Sequence, residues 1–171
     1  NMDDYFNEVE QLLKQHPVYL CISYDTDLLA VEGRFGFVRK WLEFAKLHQD
    51  LTLEIRTKSG NPEIFKELAK LYEPAETDSA CEISNAAYMQ AMRRIIFAWT
   101  VSPEAVASAT EHGAPSPHLR LQALKAAKEA GFSVRLCFDP MIYHSGWKNS
   151  YFELVKSAFN IIKPADLYDV S

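Results

Sequence analysis

VRLCFDPMIYHSGW, residues 134–147, is an apolar run that stops at an Asp-Pro step and gives way to a loop of aromatic and polar residues. A buried parallel strand ending in such residues is how a barrel or an open α/β sheet presents an active site, because the site lies on the loops at the carboxyl ends of the strands. The same layout occurs upstream. Strands are expected at Val18–Tyr24, Leu51–Thr57, Arg94–Thr100 and Ser133–Phe138. Helical periodicity follows at Gly33–His48, Pro62–Leu71, Ser116–Ala130 and Asn149–Ile162, and an amphipathic helix at Asp3–Gln15 precedes the first strand. The Ser116 helix has the clearest ends, with Ser at the N-cap, Pro117 at the first helical position and Gly131 as the stop. Alternating strands and helices imply parallel βα units with right-handed crossovers.

A closed (β/α)8 barrel needs about 250 residues. These 171 residues supply four units, and Ala165–Ser171 reads as the start of a fifth strand. The expected fold is therefore α/β, with parallel βα units forming part of a partial TIM-like barrel. The whole chain, residues 1–171, reads as a single domain. The stretch 73–93 departs from the pattern: a polar loop leads into an extra helix at Ser84–Met92, which reads as an insertion. Ending on a nascent strand favours a piece of a larger protein, since an unpaired edge is a liability in a complete domain.

The composition is that of an ordinary globular protein, 48% hydrophobic and 24% charged. No run reaches the ~20 apolar residues of a membrane span, and no basic start leads into an apolar signal core. The net charge of -5 does not support a phosphate-gripping surface, so DNA as a partner has no backing from charge. Cys21, Cys81 and Cys137 are an odd, widely spaced set. That argues for a reducing compartment, hence a cytoplasmic location, and against both a disulfide framework and a local metal motif.

Strand side chains alternate between faces. In the second strand Leu51, Leu53 and Ile55 share one face and Thr52, Glu54, Arg56 and Lys58 the other; in the fourth, Val134, Leu136 and Phe138 oppose Ser133, Arg135, Cys137 and Asp139. The apolar face is expected to meet the helices. On the polar face, Glu54 is expected to neutralise Arg56 and Arg135, since buried charges need partners. At the strand ends, Lys58 suits a carboxylate or phosphate. Asp25 and Asp27 suit either a metal, ribose hydroxyls or a helix cap. His112 and His144 fall in loops with no ligand spacing between them. Nucleophile elbow, phosphate-cradling glycine loop and two-histidine zinc motif are all absent from the sequence.

LEIRTKSGN at 53–61, IIFAWTVSPEAVASATEHGAPS at 95–116 and AAKEAGFSVRLCFDPMIYHSGW at 126–147, together with YDTDLLAVE at 24–32, resemble the spore photoproduct lyase family of radical S-adenosylmethionine enzymes. The resemblance covers nearly the whole chain. It implies a partial (β/α)6 barrel and two cofactors, S-adenosylmethionine (AdoMet) and a 4Fe–4S cluster. In the family these yield a 5'-deoxyadenosyl radical that attacks a thymine photoproduct in DNA. The cluster cysteines, at CxxxCxxC spacing, would lie upstream of the matched region. The chain has no such motif and is expected to hold no metal or stably bound cofactor by itself.

By the same resemblance, Lys58 matches a lysine near the AdoMet carboxylate, and Thr26 a small hydroxyl residue facing the cofactor. Ala98 stands where the lyases have a serine. Tyr24 stands where they carry a cysteine hydrogen-atom donor, and is the catalytic candidate. Cys21, three residues earlier, is expected to point elsewhere. Asp139 replaces a small residue and, with Trp99, is expected to face the substrate cavity. The implied protein is a lyase-related enzyme with an altered substrate, whose partners are AdoMet and the remainder of its own barrel. The rival reading is a non-catalytic binding or interaction domain on the barrel scaffold. An unrelated metal-dependent barrel hydrolase ranks last, because it would show ligand clusters at the strand ends.

Overall fold

The computed structural model describes residues 1–73 and 81–171. Five parallel strands stand side by side in chain order: β1 (Val18–Ile22), β2 (Leu51–Thr57), β3 (Ile95–Thr100), β4 (Ser133–Cys137) and β5 (Asp169–Val170). Among the described residues, helix α1 (Met2–Leu13) precedes β1, and α2 (Glu32–Phe35) and α3 (Phe37–Leu47) link it to β2. Helices α4 (Glu63–Ala69) and α5 (Cys81–Arg93) lead to β3, α6 (Glu104–Thr110) and α7 (Pro117–Glu129) to β4, and α8 (Trp147–Ile161) to β5. The expected fold class holds, and each expected strand is present to within two residues except the last. That strand shrinks to a two-residue edge, paired Arg135↔Asp169 and Leu136↔Val170. The expected insertion at 73–93 lies partly outside the described residues; its described remainder is α5. No helix among the described residues is long and apolar enough to cross a membrane.

Face alternation decides what the sheet buries. Leu51, Leu53 and Ile55 of β2, Ile95, Phe97 and Trp99 of β3, and Val134 and Leu136 of β4 are all at most 1% exposed. They form the helix-covered face. Phe97 is its centre, with the rings of Phe65 and Phe132 each 5.1 Å away in edge-to-face contact. The opposite, open face carries Tyr19, Cys21, Glu54, Arg56, Arg135 and Cys137.

Two helices differ from expectation. The periodicity across 33–48 is broken at Gly36, whose φ of 62° only glycine adopts freely, so α2 stops and α3 restarts. The buried Glu32 carboxylate caps the restart, accepting the Val38 and Arg39 amides at 2.6 and 3.0 Å. Helix α6 was not expected. Its Ala, Ser and Thr residues carry no apolar period, and only Val106 and Ala107 are buried. The Ser116 cap and Pro117 start occur as expected.

Phe97→Ala opens a cavity at the aromatic centre. It is expected to cost about 3–5 kcal/mol of unfolding free energy, read from the urea midpoint at unchanged slope.

Candidate active site

The open face is organised by one carboxylate. Glu54, in the middle of β2, is 2% exposed. The Arg56 Nε donates to its Oε1 at 3.1 Å, and Arg135 Nη1 and the Tyr19 hydroxyl both donate to its Oε2. Arg135 is held in turn by Asp169 of β5, through a second bond of 2.7 Å from Nη2. Parallel register accounts for the gathering, because Cys21 lies beside Glu54, and Ala98 sits between Arg56 and Arg135. Alanine at 98 leaves room for the two guanidinium groups. Glu54 thus pairs with both arginines, as expected from the sequence, and Asp169 supplies the second negative charge.

Cys21 points elsewhere than Tyr24, as expected, toward Glu54 and not into the cavity that Tyr24 lines. It shares the open face, with Sγ 3.7 Å from Glu54 Oε1. Alternation within β1 puts it on the same side as Tyr19, and the alternation stops before Tyr24. Burial and the neighbouring Glu54 charge push both the Cys21 thiol and the Tyr19 phenol above their ordinary values. Both stay protonated at neutral pH.

Above this network, at the carboxyl ends of β1–β4, lies a cavity of about 350 Å³. Tyr24, Asp25, Asp27, Arg56, Lys58 and Asp139 line it. Three of the expected site residues, Tyr24, Lys58 and Asp139, are therefore brought together. Ser23 makes this possible at the end of β1. Its φ of 64° turns the chain, and its Oγ accepts from the Leu28 amide and donates to the Thr26 carbonyl, each at 2.8 Å. Tyr24 then lies with its ring 5.3 Å from the Arg56 guanidinium carbon and remains 69% exposed. Asp139 reaches the same guanidinium, 3.9 Å from Nη1.

Thr26 and Trp99 are placed elsewhere. Thr26 is exposed in the turn and does not line the cavity. Trp99 is fully buried on the helix-covered face, with Nε1 donating to the Ser59 carbonyl at 2.9 Å and its ring against Phe65. It backs the wall instead of facing the cavity, because odd-numbered residues of β3 point to the helices and Ala98 and Thr100 point inward. Asp27 is occupied as a cap. It accepts from the Leu29 and Ala30 amides at 3.1 and 3.3 Å, from the Lys58 amide at 2.8 Å and from the Thr57 hydroxyl at 3.0 Å. These bonds tie the β1 loop to the end of β2. His112 borders a broader recess on the other side of Lys58, and His144 bonds its neighbour Ser145.

Sequence reasoning missed the group behind Lys58. Its ammonium lies 3.2 Å from Glu111 Oε1, in the loop after α6. Glu111 also pairs with Arg120 of α7 and accepts from the Ser102 hydroxyl at 3.1 Å. The Arg120 side chain is 0% exposed and donates to the carbonyls of Pro115 and Thr100 at 2.8 and 3.1 Å. Burial works against the Glu111 charge, but Arg120 and Lys58 outweigh it and hold the carboxyl below its usual range. A signal existed in the sequence: Arg120 falls in phase with Leu121, Leu124 and Ala127 on the apolar stripe of its helix.

The architecture is a parallel α/β piece of a partial barrel with a mixed-charge cavity at its strand mouths. Among solved structures, it is similar to spore photoproduct lyase complexed with dinucleoside spore photoproduct, at a TM-score of 0.79 and 19% identity over 99% of this chain. It is likewise similar to a mutant of that lyase with bound AdoMet and dinucleoside spore photoproduct, at 0.76 and 18% over 98%. The chain spans 45% of the length of each. At these identities the likeness establishes the fold. No family model and no curated protein matches the sequence.

Two outcomes test the electrostatics of the site. Glu54→Gln removes the buried carboxylate between Arg56 and Arg135, leaving them only the more exposed Asp139 and Asp169, and is expected to cost about 3 kcal/mol, read by chemical denaturation at pH 7. Because the folded-state pKa of Glu111 is depressed, its contribution is fully present above the ordinary carboxylate range and is lost progressively as pH falls from there through the depressed folded-state value. The stability gap between the protein and Glu111→Gln is therefore expected to shrink when urea midpoints are compared at pH 7 and pH 3.

Proposed function

We propose that this chain forms the AdoMet-facing wall of a radical AdoMet enzyme related to spore photoproduct lyase, acting on a substrate other than the thymine photoproduct. The observation that carries this reading is the convergence of Lys58, Arg56, Tyr24 and Asp139 on one cavity at the strand mouths, in a fold shared with an AdoMet-bound lyase. AdoMet carries a carboxylate, an ammonium and a sulfonium. The cavity offers both signs of charge, with Lys58 and Arg56 beside the exposed carboxylates of Asp25 and Asp139. Its donor set therefore fits that ligand.

The cluster is a different matter. Among the described residues no group of three or more His, Cys, Asp or Glu is gathered that could hold a metal ion. A 4Fe–4S cluster does not fit on them. AdoMet held in this cavity, once cleaved by a one-electron reductant, would supply the group that abstracts a hydrogen atom from the substrate. Lys58 takes the AdoMet carboxylate. Tyr24, exposed at the rim with its ring against Arg56, offers its phenolic O–H as a hydrogen-atom donor where the lyases use a cysteine. Asp139 adds a negative charge to the substrate side. That charge and the net -5 of the chain disfavour a phosphate-rich DNA strand.

The test uses the longest protein that carries this chain, reconstituted anaerobically with iron and sulfide, reduced and given AdoMet. Formation of 5'-deoxyadenosine is expected, with Lys58→Met lowering it by about tenfold or more at subsaturating AdoMet. AdoMet binding without any 5'-deoxyadenosine would instead identify a binding domain, and absence of both would end the reading.

A further inference from the structure

Lys58 is not a free surface cation. Its side chain is 38% exposed, and its ammonium sits on a carboxylate whose side chain is only 8% exposed, itself paired with a fully buried arginine side chain. Each layer is fixed from a different element. Lys58 leaves the end of β2, Glu111 hangs from the loop after α6, and Arg120 rises from α7. Arg120 is locked by the Thr100 carbonyl at the end of β3 and by Pro115, so it cannot follow a moving partner. The loops are pressed together as well: a Cβ on Gly60 would stand 2.7 Å from Pro115 Cβ. The stack is thus a rigid post beneath a flexible four-carbon side chain.

Charge counting gives the post a second property. Arg120 and Glu111 cancel, so Lys58 retains one net positive charge for the cavity. Were Glu111 paired with Lys58 alone, the two would cancel and an anion would gain little. A buried carboxylate without Arg120 would also carry an uncompensated desolvation penalty.

We propose that the buried Arg120–Glu111 pair is the positioning device for Lys58, aiming its ammonium at a single carboxylate in the strand-mouth cavity while leaving its charge uncancelled. This rests on the reading of Lys58 as the carboxylate-binding cation, and it adds two positioning residues that do not themselves touch the ligand. An ammonium held by Glu111 loses little further side-chain freedom on binding, which is how preorganisation raises affinity.

The experiment compares the dissociation constants of AdoMet and decarboxylated AdoMet by calorimetry, using the cluster-reconstituted protein that carries this chain. The native protein is expected to favour AdoMet by about tenfold or more, and Lys58→Met to abolish that preference. The informative variant is Glu111→Gln combined with Arg120→Met. It removes the buried pair together, so the net charge at Lys58 is unchanged and no buried charge is orphaned. Its preference is expected to fall to the Lys58→Met level while its affinity for the decarboxylated analogue holds.

A double variant that keeps the native preference overturns the positioning role and leaves the Lys58 reading standing. Equal weakening of both ligands marks the pair as structural only and overturns it too. A native protein without preference sinks the Lys58 reading, and the inference with it. Where the double variant fails to fold, lysine side-chain NMR of the native protein decides. The Lys58 ammonium is expected to be ordered and slow to exchange; motion as free as that of exposed Lys125 or Lys156 overturns the proposal.

Discussion

A single buried carboxylate determines what the open face of this sheet can be. Glu54 sits at the centre of β2, where most barrels place a branched apolar side chain. A lone carboxylate there would be expelled or neutralised, so its neighbours are arranged around it: Arg56 two residues on, Arg135 two strands over, and Tyr19 from β1. Four of the five strands are thereby tied on the face opposite the one the described helices cover, since Arg135 also recruits Asp169 of β5. The register of β1, β2 and β4 follows from this arrangement as much as from the apolar core behind it. A one-residue slip would carry the charges into the Phe97 layer.

The cavity above that network is built from chain reversals, each with its own cause. Positive φ at Ser23 ends the alternation of β1 and brings Tyr24 over Arg56. Asp27 spans two loops, capping one and holding the backbone of the other. Arg56 links the levels, with one edge on Glu54 below and the other facing Tyr24 and Asp139 at the rim. Lys58 stands on the opposite side, braced from behind by Glu111 and Arg120. The result is a mouth with two fixed cations and two exposed carboxylates, suited to a zwitterionic ligand and poorly suited to a polyanion.

Period and punctuation carried much of this in the linear sequence. The alternation in LTLEIRT and SVRLC marked which side chains meet the helices, and the pairing of Glu54 with both arginines followed from the cost of burying charge. Ser116-Pro117 and Gly131 marked a helix at both ends. Where these signals were weak, the reading failed for physical reasons. Helix α6 has no apolar period to detect. Gly36 stood inside a continuous periodic stretch, and only its left-handed backbone revealed a break.

The sequence by itself determined the parallel α/β fold, the two faces of β2 and β4, and the candidacy of Lys58, because each depends on neighbours a few residues apart; the roles of Tyr24 and Asp139 were implied by the family resemblance. Tertiary structure alone decided that Trp99 backs the wall, that Thr26 stays outside the cavity and that Cys21 faces Glu54. Those outcomes depend on the phase of a strand relative to its sheet and on where a turn interrupts it. It alone also assembled Lys58, Glu111 and Arg120, which lie far apart along the chain. An ion pair can be stable in a buried position only where folding has already brought its partners together and removed the water between them.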